Sequence, residues 1–269
     1  VYERQLAVAE TPEEVVAVST RLAAVHEERL QDPASAIGVH ERIFETVPGH
    51  VPTAKALARL LRPTDRAERR AELLELIRTG AEEPEVRVAA TRERADVLAD
   101  DLDRIDAAEA LHRELLEADG TSVDALGALA ALAERRNDWP GAVDLLRRRV
   151  EVASDADAVD VHYRIGVISR DRLGDIEAAR RAFERALDAN PRHVPSLTAL
   201  RELAEGRGDP GPLLDLLERE AKAEPDLGRR ADLQHRAAGV ALDAFDDVDN
   251  AVEILQLSLE AVPAHRPAL

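Results

Sequence analysis

The sequence has no cysteine and no methionine, and its 269 residues include three Phe, two Tyr and one Trp. Without cysteine there is no disulfide framework, thiolate nucleophile, Cys-ligated zinc site or iron–sulfur cluster. Lysine is nearly absent as well: Lys55 and Lys222 are the two lysines among 36 basic residues. No phosphate-binding loop of the Gly-rich, Lys-bearing kind is present. Basic charge is outweighed by 54 acidic residues, for a net charge of −18, which argues against general nucleic-acid binding because phosphate contacts need a basic face. No apolar run approaches the ~20 residues that span a bilayer, so membrane insertion is not expected. A basic-then-apolar leader is missing too, which points to the cytoplasm. The chain does not begin with Met, so residue 1 is not expected to be the native start, and the periplasm stays open.

What the chain has in quantity is 48 Ala and 35 Leu. These are the strongest helix formers, and so few aromatic residues argue against a β-rich core. A 45% hydrophobic and 33% charged composition is that of a globular chain. At about 150 residues per domain the length allows one or two domains.

Self-comparison decides between them. Pro48-Gly49-His50-Val51-Pro52 recurs as Pro191-Arg192-His193-Val194-Pro195 and as Pro263-Ala264-His265-Arg266-Pro267, with a weaker copy at Gly120–Asp124. Ala36, Ala108, Ala179 and Ala251 align at steps of 72, 71 and 72, followed four residues later by His40, His112, Phe183 and Leu255. Leu30, Leu102, Leu173 and Phe245 keep the same register. Units of about 72 residues are expected near 12–83, 84–154, 155–226 and 227–269, each with four helical segments. In the third unit the pattern predicts helices near 156–173, 175–190, 194–207 and 210–223, with Ala179, Phe183, Ala186 and Leu187 on one face. Thr11-Pro12-Glu13-Glu14 reads as a capping box with Pro at the first helical position. Asp32-Pro33 and Asp209-Pro210 read as Asp caps followed by a Pro that has no amide hydrogen to lose. Loops of two to five residues make consecutive helices antiparallel neighbours. The expected fold class is all-α: a single α-solenoid array over 1–269, with about seven antiparallel hairpins of some 36 residues. Both ends cut through repeats, so the chain is expected to be a fragment of a longer array.

The pattern resembles the tetratricopeptide repeat family, of the multi-repeat type found in bacteria. That family has a large-then-small pair on the first helix, Ala-x3-Phe on the second, and a closing Pro. Ile165-Gly166, Ala179–Phe183 and Pro191 match, as do Leu22-Ala23, Ala36 and Pro48, with His40 in place of Phe. Ala238, Ala251, Leu255 and Pro263 match in the last unit; Leu129-Ala130, Ala142 and Leu146 match without the closing Pro. The hairpin at 53–80 departs most, being interrupted by Arg62-Pro63-Thr64-Asp65. The resemblance implies a right-handed superhelix whose first helices line a concave, partner-binding face.

No chemistry-bearing constellation emerges. The eight His are never closer than ten residues, so no i, i+4 metal pair exists. His50, His193 and His265 share one repeat position, and His40 and His112 another, which marks them as structural. Asp100, Asp101 and Asp103, like Asp246, Asp247 and Asp249, lack the Gly and distal Glu of a calcium loop; helix-end solvation and N-capping account for them better. No catalytic residue, cofactor or metal is assigned, and no enzyme is expected.

The implied concave face directs attention to Arg92, Tyr163 and His235 three residues before the small residue, and to Asp96 one beyond it. Five beyond it stand Glu28, Asp100, Asp171 and Asp243, acidic in all four units. This column is either an acidic ledge that attracts basic segments or simply the solvated end of each first helix. The positions where some relatives grip a C-terminal carboxylate carry Thr, Tyr, His, Ala and Val here, which argues against that mode. Lys55, Arg59, Arg62, Arg66, Arg69 and Arg70 form a basic patch, either a dock for an acidic partner or, preferably, the partners of acids on neighbouring helices. The expected function is a non-catalytic scaffold binding a protein or peptide, with a basic segment of that partner as one mode and end-to-end or homo-oligomeric contacts also open. The alternative is a regulatory or spacer arm of a larger protein.

Overall fold

The computed structural model describes residues 1–263, 265 and 267. Among them run fifteen α-helices and no strand. The first eight are α1 (Tyr2–Leu6), α2 (Pro12–Ala24), α3 (Pro33–Thr46), α4 (Val51–Leu60), α5 (Ala67–Gly80), α6 (Pro84–Asp96), α7 (Ile105–Ala118) and α8 (Val123–Arg135). Then follow α9 (Trp139–Val152), α10 (Asp155–Asp171), α11 (Ile176–Ala189), α12 (Val194–Arg207), α13 (Pro210–Ala223), α14 (Leu227–Phe245) and α15 (Val248–Ala261). Two compact units divide the chain, Val1–Leu132 and Ala133–Leu269. From α1 to α7 in unit 1, and from α9 to α15 in unit 2, each helix packs on the next. This is the hairpin-on-hairpin stacking expected of a helical solenoid. The loop at residues 61–66 exceeds the expected two to five, because Arg62-Pro63-Thr64-Asp65 ends α4 early. The expected start of a further helix falls on Pro267-Ala268-Leu269, of which Ala268 and Leu269 lie outside the described residues.

The repeat is visible in the backbone as well as the side chains. Leu30, Leu102 and Leu173 each donate to the carbonyl five residues back, at 3.1, 3.1 and 3.2 Å. Asp32, Arg104, Asp175 and Asp247 each donate to the carbonyl six residues back, at 2.9, 2.6, 2.9 and 3.1 Å. Between them sits a left-handed residue in every unit: Gln31, Asp103, Gly174 and Asp246, with φ of 51°, 50°, 67° and 53°. A left-handed residue after a helix lets the following amides turn back and satisfy the last carbonyls. In the first two units the carbonyl-to-amide offset also opens a π-helical turn, at Val25–Arg29 after α2 and Val97–Asp101 after α6.

Caps start the helices where the sequence allows. Thr11 Oγ1 accepts from the Glu14 amide while Glu14 Oε2 accepts from the Thr11 amide, completing the capping box. Asp32 accepts from Ser35, Asp138 from Gly141, Asp175 from Ala178 and Asp247 from Asn250. Asp209 does not act as expected: its side chain caps nothing. Asp32, Asp138, Asp175 and Asp247 all bond the amide three residues on, and the third residue after Asp209 is Pro212, which has no amide hydrogen. The cap position of α7 is Arg104, standing where the other units have Asp32, Asp175 and Asp247, and it makes no side-chain cap.

The core is a chain of small-residue contacts. Ala23, Ala95 and Ala179 are fully buried, and the ring at Phe183 has no exposure. A Cβ built on Gly166 would lie 2.6 Å from Phe183 Cδ1 and 2.8 Å from Cζ, so the ring occupies the space of the missing methyl. The other units pair Ala with a smaller group: Ala23 with His40, Ala95 with His112, Ala238 with Leu255. The one Phe in the column meets the one Gly. His40 and His112 are buried, and burial holds both imidazoles below their ordinary pKa.

Candidate functional site

In unit 1 the structure brings members of the two sequence-predicted sets together. Arg62 in the loop after α4 and Arg70 of α5 open onto one cleft with Arg92 and Asp96 of α6 and Asp100 of the following π turn. The cleft measures about 540 Å³ and is also lined by Glu93 and Asp101. Asp96 and Asp100 lie one helical turn apart, so their carboxylates share a face. Loss of hydration, and then the charge of Asp100, raise the Asp96 carboxyl above its usual range. Arg92 pairs with Asp124 at 3.1 Å. Glu28 stands exposed on the π turn after α2, away from this cleft's lining.

The arginines of the basic patch are engaged. Arg59 pairs with Glu27, Arg62 with Glu93 (3.0 Å) and Arg66 with Glu41 (2.9 Å). Arg69 bridges Glu41 (3.1 Å) and Glu72 (2.9 Å), while Arg70 bridges Glu93 (2.6 Å) and Asp101 (3.7 Å). Lys55 is exposed on α4. The acids that hold the patch, Glu27, Glu41 and Glu93, were not singled out from the sequence. Their signal is a repeat-scale one: each lies 25 to 32 residues from its arginine in the ion pairs with Arg59, Arg62 and Arg66, about one hairpin away.

Unit 2 treats the corresponding positions differently. Asp171 accepts from Arg170 Nε at 2.7 Å, and that bond holds its carboxyl below the usual range. Tyr163 is half-buried between Phe183 and His193, with ring centroids 5.7 and 5.4 Å away, which makes it a packing residue. His235 faces His265 at 6.1 Å between ring centroids. Asp243 edges a second cleft, of about 430 Å³, with Leu213, Leu217, Arg236 and Val240. The first-helix acids therefore do not share one environment.

The loop histidines are structural in a specific way. His50 and His193 precede α4 and α12, and each ring Nδ1 lies 2.8 Å from the hydroxyl three residues on, Thr53 or Ser196. At the same register Ser122 Oγ accepts from the Ala125 amide. His193 and His265 also reach back to Asp160 (3.9 Å) and Asp232 (2.8 Å) on the first helix of their own hairpins' units. Ser258, His265 and Asp232 form a line of hydrogen bonds that superficially matches a nucleophile, base and orienting acid. Ser258 is fully buried, however, and its hydroxyl reaches the Ala231 carbonyl at 3.1 Å, which makes the line a packing contact. Among the described residues no group of three or more His, Asp or Glu is arranged to hold a metal ion, and no helix is long and apolar enough to cross a membrane.

Sequence reasoning also missed a buried polar knot. Arg201 Nε donates to Glu220 Oε2 at 2.7 Å, and Thr198 donates to Glu220 Oε1 at 2.6 Å. Arg201 further reaches Glu205 at 2.8 Å, and Arg236 joins the same carboxylate. The five lie on α12, α13 and α14 and tie those helices together. The spacing of Leu213, Leu216, Leu217 and Glu220 puts the acid on the inward face of α13, but nothing in it marks Arg201 as its partner.

Stacked antiparallel hairpins, small-residue contacts at a fixed register and charged inter-helix clefts define a helical repeat protein without a described catalytic centre. The family model of the tetratricopeptide repeat matches residues 125–157, a stretch running from α8 through α9 to the start of α10, in which Leu129, Ala130, Ala142 and Leu146 are buried. The chain has the fold of the C-terminal part of a TPR repeat-containing protein from Cytophaga hutchinsonii, at a TM-score of 0.58 and 14% identity over 92% of this chain and 97% of that one. It is similar too to a tetratricopeptide repeat protein from Parabacteroides merdae, with a TM-score of 0.50 and 14% identity over 96% and 95% of the two chains. The fold is thus that of a tetratricopeptide repeat array. No curated protein matches the chain in sequence.

Proposed function

We propose that the chain is a non-catalytic protein-interaction scaffold whose unit 1 cleft receives a basic segment of a protein or peptide partner. The observation that carries this reading is Asp96, a carboxyl raised by its surroundings and set one turn from Asp100 in an open cleft. A lysine or arginine side chain there would relieve the unfavourable carboxylate pair, since an opposite charge within about 4–6 Å favours the ionised form. Arg62, Arg70 and Arg92 on the same walls would select against a uniformly basic segment and for one that also carries an acid. The repeat fold supports the reading, because stacked hairpins hold such clefts on rigid helices. A regulatory or spacer arm within a larger protein is compatible with the same surface.

The test is a peptide array of basic, acidic and mixed-charge twelve-residue segments, probed with the wild-type chain and with Asp96→Lys/Asp100→Lys. Mixed segments containing lysine or arginine are expected to bind, and the reversed variant to lose them while retaining its helical circular dichroism. Equal binding of acidic segments, or an unchanged pattern in the variant, would sink the reading.

A further inference from the structure

In unit 2 a cleft of about 350 Å³ lies among α9, α10 and α11, outside every position expected to bind. Its walls carry Arg147, His162, Arg181 and Arg185 against one acid, Glu151, in a chain whose net charge is −18. Arg181 and Arg185 stand one turn apart on α11, a spacing at which like charges repel. Among the described residues neither makes an ion pair, and Glu151 pairs with none of the three arginines. Arg147 meets Asp144, three residues back on its own helix, at 3.2 Å, an exposed contact that holds it weakly. Burial, and then the charge of Arg185, hold the half-buried His162 imidazole below its ordinary pKa, against the opposing pull of Asp188.

The same place in the preceding repeat carries the opposite charge. There the positions of Arg147, His162, Arg181 and Arg185 are Glu75, Thr91, Ala110 and Glu114. Arg78 of α5 bridges the two acids, reaching Glu75 at 2.8 Å and Glu114 at 2.9 Å. Side chains at these two registers therefore come close enough for one ion of guanidinium size to join them. In the α9–α11 cleft both registers are arginine, and the register of the bridging Arg78 is Val150, which has no charge to offer. One repeat later the four positions are Glu218, Gln234, Glu253 and Leu257, with no basic residue among them.

We propose that this cleft binds a phosphate group, the anion joining Arg147 to Arg185 as Arg78 joins Glu75 to Glu114, with Arg181 and His162 at its sides. A carboxylate brings one charge and two oxygens, fewer than three guanidinium groups and an imidazole can use. A phosphate monoester brings close to two charges and three acceptor oxygens, and arginine binds it in a bidentate fashion. The site shares no residue with the unit 1 cleft and does not depend on it.

The probe is a fluorescein-labelled alanine–glycine nonapeptide with one central phosphoserine, followed by fluorescence anisotropy against the full chain. Saturable binding is expected, weakened about 10-fold by Arg181→Gln/Arg185→Gln, the loss of two partly exposed charge pairs. Arg148→Gln/Arg180→Gln removes the same charge from residues that do not line the cleft and should leave binding unchanged, as should Asp96→Lys/Asp100→Lys. Competition with inorganic phosphate separates two sources of the anion. Displacement near the peptide's own Kd supports a free phosphate, and displacement only at far higher concentration supports a phosphorylated segment of a partner. The proposal is overturned by absent saturation, by equal binding of the unphosphorylated peptide, by an unchanged Kd in the Arg181/Arg185 variant, or by an equal loss in the Arg148/Arg180 variant. Arg181 and Arg185 are exposed, so their substitution tests the cleft without disturbing the core.

Discussion

Adding one methyl group at Gly166 tests whether ring and gap in the third unit are matched. A Cβ there would enter well inside van der Waals contact with Phe183, 2.6 Å from Cδ1 and 2.8 Å from Cζ, against an optimum of about 3.5–4.0 Å between carbons. The ring has no exposed surface and cannot swing into solvent. Overpacking of this kind costs about 1–3 kcal/mol, and the contact is severe enough for the upper end. Alanine's better helix propensity returns about 1 kcal/mol. Gly166→Ala is therefore expected to destabilise the fold by about 2 kcal/mol. At about 2–4 °C per kcal/mol this is a fall in Tm of about 4–8 °C, measured by circular dichroism. Phe183→Leu recreates the Ala238–Leu255 pairing of the fourth unit, so the double variant should be more stable than the sum of the single effects, by at least about 1 kcal/mol. A neutral or stabilising Gly166→Ala, or strictly additive effects, would refute the matched-pair reasoning.

Two further predictions come from the repeat geometry. Gln31 holds a left-handed φ of 51° where the third unit has Gly174, so Gln31→Gly is expected to stabilise by up to about 1 kcal/mol in urea denaturation, with Gly174→Ala acting in the opposite direction. Burial lowers the pKa of His40, which also meets Glu27 and Arg59, and of His112, which lies near Arg92. Both are neutral in the folded and unfolded states above the unfolded value of about 6.5, so stability is full there. As pH falls from 6.5 through the lower folded values, the unfolded chain binds protons first and stability is lost. His40→Leu/His112→Leu should flatten the Tm decline between pH 7.5 and 5.5; parallel declines in variant and wild type would contradict the assignment.

Much of the fold was legible because a solenoid is a local structure. The landmarks Ala36, Ala108, Ala179 and Ala251 repeat at nearly constant steps, and each hairpin needs only its neighbours. The helices of the third unit begin and end within two residues of the expected bounds. The Thr11 capping box was legible for the same reason, since both its partners lie within three residues. Asp209 was misread although Pro212 stood in view, because the amide three residues on, which the other Asp caps use, is one that proline lacks.

The candidate surfaces were legible only in part. The sequence placed Arg62 and Arg70 in one set and Arg92, Asp96 and Asp100 in another; that the sets meet in one cleft depends on how α4, α5 and α6 pack. It grouped Asp100, Asp171 and Asp243 by register, yet Asp171 is bonded to its chain neighbour Arg170 while Asp100 and Asp243 border different clefts.

Helix content and the all-helical, repeat-built character of the fold were determined by the sequence alone, because helix formation and hairpin stacking are read out over tens of residues. Which charges neutralise one another, which carboxylates are left over, and which ring fills which gap were decided by the tertiary structure. Those outcomes depend on distances of a few ångströms between helices 20 to 40 residues apart, and a repeat register fixes the helix but not the side-chain neighbour.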